Sequence, residues 1–232
     1  MAQSKDIRAV LFDLDGTLLD TAPDFVVVVN RLLAEYDRPP LPAETIRRSV
    51  SNGARALVCL AFDIDPEHTD FEPLRVRLLE IYSEHLAVHT ALFPGLQEVL
   101  DQLSEWSIPW GIATNKPAAY TLPLMEQLDL KPACECIICP DHVAERKPHP
   151  ESLLLAAKNL GCEPEHIVYI GDHLRDIECG KQAGAVTIAA AYGYIEDDDD
   201  VDAWGADYRV DHGSEILGIL KDLVEAQSLL GR

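Results

Sequence analysis

The chain predicts an α/β fold: a parallel sheet covered by helices on both faces, interrupted early by an all-helical insert. Three observations predict it. The run Ala9-Val10-Leu11-Phe12 is short, continuous and apolar, as a strand buried on both faces requires, and it stops abruptly at Asp13-Leu14-Asp15-Gly16. The segment 20–88 then shows helical periodicity and no strand pattern. From Phe93 onward short apolar runs alternate with amphipathic helical stretches, the mark of βα units.

The elements follow in order. A helix over 24–36 places Phe25, Val28 or Val29, Leu32, Leu33 and Tyr36 near one face. Its β-branched run is weak for a helix, so the periodicity alone supports it. Pro39, Pro40 and Pro42 end it. Helices are expected over 43–49 and 54–62. After a polar break, Phe71, Leu74, Leu78, Ile81, Tyr82 and Leu86 form an amphipathic stripe. Pro94 suits the first turn of the next helix, whose buried face is Leu96, Val99, Leu100 and Leu103. A strand over 109–113, a helix over 118–128 and a strand over 136–139 come next. Gly161 caps a further helix, and a strand over 166–170 runs into Gly171-Asp172. A helix ending near Gly184, strands over 186–190 and 208–210, and a closing helix over 214–230 complete the chain. The 232 residues therefore divide into an expected core, 1–19 with 89–232, and an expected helical cap, 20–88.

Composition removes several function classes. Hydrophobic residues make up 47% of the chain, enough to build a sizeable core. No apolar run is long enough to span a membrane, and the N-terminus reads as no signal peptide, so a cytoplasmic protein is expected. The formal net charge of −21 would repel a nucleic-acid backbone. It also sets a problem for any anionic substrate, which needs local cations to hold it. The six cysteines are expected as reduced thiols. Cys134, Cys136, Cys139 and His142 have the composition of a zinc cluster, but Ile137 and Ile138 mark a strand that would point successive side chains to opposite faces.

Candidate chemistry collects at the strand ends, where open α/β sheets bind ligands. Asp13 and Asp15 follow the first strand, and Gly16 lets the chain leave it sharply. Neighbouring acids repel unless a cation or a proton relieves them. That favours a division of labour: Asp13 as nucleophile and metal ligand, Asp15 as general acid and base. Carboxylates attack phosphorus to give aspartyl-phosphates, which split one difficult hydrolysis into two easier steps. Thr114 and Asn115 end a second strand, where a hydroxyl and backbone N–H groups can hold phosphate oxygens or simply make a turn. Lys147, stiffened by Pro148 and Pro150, supplies a point charge. Asp172, with Asp176 one helical turn later, completes a hard oxygen site of the kind Mg²⁺ takes, unless it is only a helix cap. A phosphate and a carboxylate about 4 Å apart repel by about 4 kcal/mol per charge pair at an effective dielectric near 20, which Mg²⁺ and Lys147 would offset.

These residues together resemble the haloacid dehalogenase superfamily. Asp13-Leu14-Asp15-Gly16-Thr17 is similar to its first motif, Thr114 to its second, Lys147 to its third, and Gly171-Asp172 with Asp176 to its fourth. The resemblance implies a Rossmann-like core with a small helical cap, Asp13 as nucleophile, Asp15 as acid and base, and Mg²⁺ held by Asp13, the Asp15 main-chain carbonyl and Asp172. Asp15 argues against dehalogenase chemistry, whose members typically lack the second acid. Asp20-Thr21-Ala22-Pro23-Asp24 and Asn52-Gly53-Ala54 are similar to peptides of the phosphoglycolate phosphatase group. Gly53-Ala54-Arg55-Ala56, Cys139-Pro140-Asp141-His142-Val143, Asp172-His173-Leu174-Arg175-Asp176-Ile177-Glu178 and Ala191-Tyr192-Gly193-Tyr194-Ile195 resemble the N-acetylmuramic acid 6-phosphate phosphatases of cell-wall recycling. His173 departs from the small hydroxyl residue common in the broader group.

The expected partner is a small phosphorylated metabolite, and a monomer or weak homo-oligomer is expected. The cap should choose the leaving group. Arg55 is either a contact to a substrate carboxylate or hydroxyl, or a surface arginine. Arg175 either braces the metal loop or is solvated, and the acidic run 196–200 reads as a solvated loop. Three functions follow: a Mg²⁺-dependent phosphomonoesterase acting on a sugar or sugar-acid phosphate or on 2-phosphoglycolate, a phosphosugar mutase, or a non-catalytic phospho-ligand sensor. The intact Asp13, Asp15, Thr114, Lys147 and Asp172 favour an enzyme over the sensor.

Overall fold

The computed structural model describes residues 6–230. Strand β1 (Ala9–Phe12) leads into a two-residue strand, β2 (Leu19–Asp20), and then four helices: α1 (Ala22–Glu35), α2 (Ala43–Ser49), α3 (Gly53–Phe62) and α4 (Phe71–Glu84). Strand β3 (Ala91–Leu92) returns the chain antiparallel to β2, so a short ribbon forms the stem of the insert. The remainder alternates: α5 (Leu96–Glu105), β4 (Trp110–Ala113), α6 (Ala118–Leu128), β5 (Cys136–Ile138), α7 (Glu151–Leu160), β6 (Ile167–Gly171), α8 (Leu174–Ala183), β7 (Val186–Ala190), β8 (Tyr208–Val210) and α9 (Ile216–Leu230).

Six strands form one parallel sheet in the order β5-β4-β1-β6-β7-β8. The chain builds leftward from β1, then jumps across it to β6, so the reversal point lies beside β1. Ligands bind outside such a reversal. Side chains alternate across β1. Val10 and Phe12 pack with Leu96, Val99 and Leu100 of α5 and Ile216 of α9, whereas Ala9 and Leu11 pack with Leu153 and Ala156 of α7 and Cys179 of α8. Both faces are therefore covered, which is why β1 reads as an unbroken apolar run. Among the described residues no helix is long and apolar enough to cross a membrane.

In the insert, burial overrides the weak helix propensity of Val26–Val29. Phe25, Val28, Val29, Leu32 and Leu33 are buried, and Phe25 stacks on Tyr82 of α4 with centroids 4.3 Å apart. Tyr36 is a correction: it is 50% exposed rather than part of the buried face. The helix ends at Tyr36, Asp37 turns left-handed, and the Arg38 N–H reaches back to the Leu33 carbonyl, so the ring swings out and meets only the edge of Phe62. Pro94 also sits differently. It lies in the turn before α5, whose cap is Gly95 in a left-handed conformation.

Candidate active site

Asp13 continues β1, its N–H donating to the Ile170 carbonyl at 2.8 Å, so its carboxylate stands where the sheet stops. Lys147 reaches the same point from the loop before α7. Its ammonium is buried and lies 2.8 Å from Asp13 Oδ1 and 2.7 Å from Asp176 Oδ1, while it donates to the Ala113 carbonyl (3.0 Å) and the Tyr169 hydroxyl (2.9 Å). Burial opposes that charge, but Asp13 and Asp176 outweigh it and hold the Lys147 pKa above its ordinary value. Asn115 clamps the lysine's backbone, donating to the Lys147 carbonyl at 3.1 Å and accepting from its N–H at 3.2 Å.

Asp172 ends β6 and is buried. It accepts from the Thr17 hydroxyl (3.0 Å), the Tyr194 N–H (2.9 Å) and the Ser51 hydroxyl of the insert (3.0 Å). Burial, then the carboxylates of Asp13 and Asp176, push its pKa up to about 7. Burial also pushes Asp176 up, with Lys147 pulling against it. Gly16 is needed here: its φ is +86°, and a Cβ would collide with the Asp172 carboxylate. The helix cap expected as one reading of Asp172 is instead His173, whose Nδ1 accepts from the Arg175 N–H at 3.2 Å. Burial, then Arg175, lower the His173 pKa to about 4, so the ring is neutral near pH 7.

Asp13, Asp172 and Asp176 offer carboxylate oxygens all within 4.8 Å of one another. Asp13 and Asp176 share the Lys147 ammonium, Asp172 has no ion pair among the described residues, and Asp13 Oδ1 is buried with a charge contact to Lys147 but, among the described residues, no aligned hydrogen bond. An all-oxygen cluster short of positive charge is the donor set a hard divalent cation requires. Among the described residues the cysteines and His142 form no such group. Cys136 is buried in β5, and His142 Nδ1 accepts the Cys139 N–H.

Asp15 faces a different cation, one that the sequence reading passed over. Lys116, two residues beyond Thr114, donates to Asp15 Oδ1 at 2.9 Å and Oδ2 at 3.2 Å. The Thr21 hydroxyl donates to the same Oδ1 at 2.6 Å. The ammonium also sits 5.1 Å from the Phe25 ring centroid and 4.6 Å from that of Tyr82, so two insert residues close over it. Burial opposes the charge, yet Asp15 keeps the Lys116 pKa above normal. The Thr114 hydroxyl oxygen accepts from the Lys116 N–H at 3.1 Å, leaving its proton free to donate.

A cleft of about 610 Å³ opens between these strand ends and the insert. Asp13, Asp15, Thr114, Asn115, Lys147 and Arg55 all line it. Arg55, on the first turn of α3, is exposed and makes no hydrogen bond or ion pair among the described residues. Lys116, Arg75, Arg146 and Arg175 also reach the cleft, so an acidic protein gathers its cations where an anion would bind. Arg175 braces rather than floats: it donates to the Ser51 carbonyl (3.2 Å) and Asn52 Oδ1 (2.9 Å) of the insert. The acidic run 196–200 is exposed, as expected of a solvated loop, and two of its side chains also meet the insert: Glu196 accepts from Asn52 at 2.7 Å and Asp197 pairs with Arg48.

Comparison with known proteins agrees with this geometry. A family model described as haloacid dehalogenase-like hydrolase matches residues 10–190. The chain is 47% identical to the N-acetylmuramic acid 6-phosphate phosphatase of Pseudomonas putida, over 92% of this chain and 96% of that protein. It is 40% identical to a phosphoglycolate phosphatase of Xanthomonas campestris pv. campestris, over 90% of this chain and 94% of that one. The crystal structure of a predicted phosphoglycolate phosphatase from Haemophilus somnus 129pt shares the fold, with a TM-score of 0.81 at 24% identity over 93% of this chain and 99% of that one. With the parallel sheet, the helical insert after its first strand and the acids at the strand ends, the chain belongs to the haloacid dehalogenase-like hydrolase family.

Proposed function

We propose that the protein is a Mg²⁺-dependent phosphomonoesterase whose substrate is N-acetylmuramic acid 6-phosphate. The observation that carries the reaction type is the division of the two acids: Asp13 lies against Lys147 beside an acid cluster, and Asp15 lies against Lys116 at the cleft wall. Asp13 attacks phosphorus and carries the phosphoryl group as an aspartyl-phosphate. Asp15 hands a proton to the departing sugar oxygen, then takes one from the water that splits the acyl phosphate. Lys147 and the Thr114 hydroxyl hold the phosphoryl oxygens, and Asn115 keeps Lys147 in place. Asp13, the Asp15 main-chain carbonyl and Asp172 would hold Mg²⁺, with Asp176 nearby and engaged by Lys147. When bound, Mg²⁺ neutralises the charge that keeps a carboxylate and a phosphate apart.

The helical segment 20–88 acts as the cap over a core of 1–19 and 89–232. A cleft of about 610 Å³ suits a sugar-sized ligand. Its insert wall offers Val50, Phe25, Leu79 and Tyr82 to apolar groups, and Arg55, unpaired among the described residues, offers its guanidinium to the lactyl carboxylate that a muramic acid carries. The 47% identity to a muramic acid phosphatase supports this ester over 2-phosphoglycolate, whose phosphatase relative is 40% identical. The protein works in the cytoplasm, as a monomer or weak homo-oligomer. The test is phosphate release from N-acetylmuramic acid 6-phosphate by the purified chain with Mg²⁺ or with a chelator. Release that needs Mg²⁺ is expected, and release unchanged by the chelator would overturn the metal-dependent mechanism.

A further inference from the structure

Asp24, His85 and His89 form a second cluster, which shares no residue with the acid cluster of Asp13, Asp172 and Asp176. Asp24 is fully buried in the first turn of α1. Its carboxylate is oriented by three donors: the His89 N–H at 2.8 Å, the Thr90 N–H at 3.0 Å and the Thr90 hydroxyl at 2.6 Å. Oδ1 takes only one of these and keeps a lone pair. His85, at the end of α4, aims Nε2 at that oxygen from 3.5 Å. Nε2 is shielded from solvent and has no hydrogen-bond partner among the described residues. The His89 ring lies beside that of His85, with centroids 5.7 Å apart, and the three side chains offer ligand atoms all within 4.8 Å of one another.

The 3.5 Å separation is long for an N–H···O bond, whose usual length is about 2.9 Å. It is close to the edge of a zinc coordination tetrahedron, since bonds of roughly 2.0–2.1 Å place neighbouring ligand atoms about 3.3 Å apart. We propose that Asp24, His85 and His89 bind a first-row transition-metal ion, zinc in particular, with water completing the coordination. Two imidazoles and one carboxylate suit such an ion, whereas the all-oxygen cluster of Asp13, Asp172 and Asp176 suits Mg²⁺. The hydrogen bonds from residues 89 and 90 supply the outer support that holds a ligating carboxylate in place. The ion would tie α1, where the chain enters the insert, to the segment 85–90, where it leaves. This inference does not depend on the phosphatase reading.

The test is Zn²⁺ binding to the full chain by calorimetry, in saturating Mg²⁺ so that the acid cluster is filled. Asp24 is too deeply hydrogen-bonded to vary safely, so the variants are His85→Gln and His89→Gln, with circular dichroism to confirm that each folds. The wild type should bind one equivalent of Zn²⁺ and melt at a higher temperature with it. Each variant should bind roughly tenfold or more weakly and lose the thermal gain. Co²⁺ in place of Zn²⁺ should give visible bands without the near-ultraviolet charge transfer of a thiolate ligand. No uptake by the wild type, undiminished uptake by either variant, or a thiolate band would overturn the proposal.

Discussion

Lys116 places its ammonium 2.9 Å from Oδ1 and 3.2 Å from Oδ2 of Asp15, across 101 positions of sequence. The pair joins the end of β4 to the turn after β1, and Phe25 and Tyr82 of the insert close over it. Removing the ammonium leaves a half-buried carboxylate with, among the described residues, only the Thr21 hydroxyl to hold it. Lys116→Met should therefore lower kcat by roughly tenfold or more, equivalent to about 1.4 kcal/mol of barrier. Lys116→Arg should restore part of it. Steady-state kinetics beside a melting curve separate this from unfolding. An unchanged kcat in a folded Lys116→Met protein would remove Lys116 from the machinery.

Asp13→Asn takes away the proposed nucleophile, one of the two carboxylates that pair with Lys147, and one of the three acids in the cluster with Asp172 and Asp176. Phosphate release should fall by roughly a thousandfold or more. The melting temperature without Mg²⁺ should hold or rise, because a repulsion is relieved. Loss of activity together with a large loss of stability would make Asp13 a structural rather than a chemical residue.

Arg55 lines the cleft wall and has no hydrogen bond or ion pair among the described residues, so its charge is available to a substrate. A hydrogen bond to a charged group contributes about 1.5–3 kcal/mol. Arg55→Ala should lower kcat/KM for the muramic acid ester by roughly ten- to a hundredfold, and change hydrolysis of a phosphate ester lacking a carboxylate far less. Equal losses on both esters would place Arg55 at the phosphate or in the fold.

Asp172 carries the clearest pH signature. Without metal its pKa is raised from 3.8 to about 7, so the folded chain binds the proton more tightly than the unfolded one. The stability it contributes is complete below its unfolded value and is lost as pH rises toward about 7. Mg²⁺ bound at the acid cluster would relieve that loss. The rise in melting temperature on adding Mg²⁺ should be larger near about pH 8 than near about pH 5, because at the lower pH the proton competes. A rise that is greater on the acid side would contradict the assignment of Asp172 as a ligand.

The strand ends were legible because each is a local pattern. Four apolar residues followed by Asp13, or Ile170 followed by Gly171-Asp172, encode burial and then exposure within a few positions. The periodicity of α1 to α4 was legible for the same reason. What stayed hidden depends on contacts far apart in sequence. Nothing near Lys116 marks it as the partner of Asp15, because the turn that carries Asp15 lies 101 positions away. The role of Asp176 as a partner of Lys147 needs the loop before α7 to meet the first turn of α8. Tyr36 fits the helical period but falls where the helix unwinds, and the two-residue ribbon of β2 and β3 is too short to leave a pattern. The run 196–200 reads as solvated from its charge, and only the fold brings Arg48 and Asn52 to it.

The most direct measurement is kcat/KM for phosphate release, with Mg²⁺, from N-acetylmuramic acid 6-phosphate and from 2-phosphoglycolate in parallel, with Asp13→Asn as the control. A cleft that reads the sugar and its carboxylate should favour the muramic acid ester by roughly a hundredfold or more, and the Asp13→Asn protein should release phosphate from neither. Preference for 2-phosphoglycolate would contradict the proposed substrate. No Asp13-dependent release from either ester would contradict the phosphatase itself.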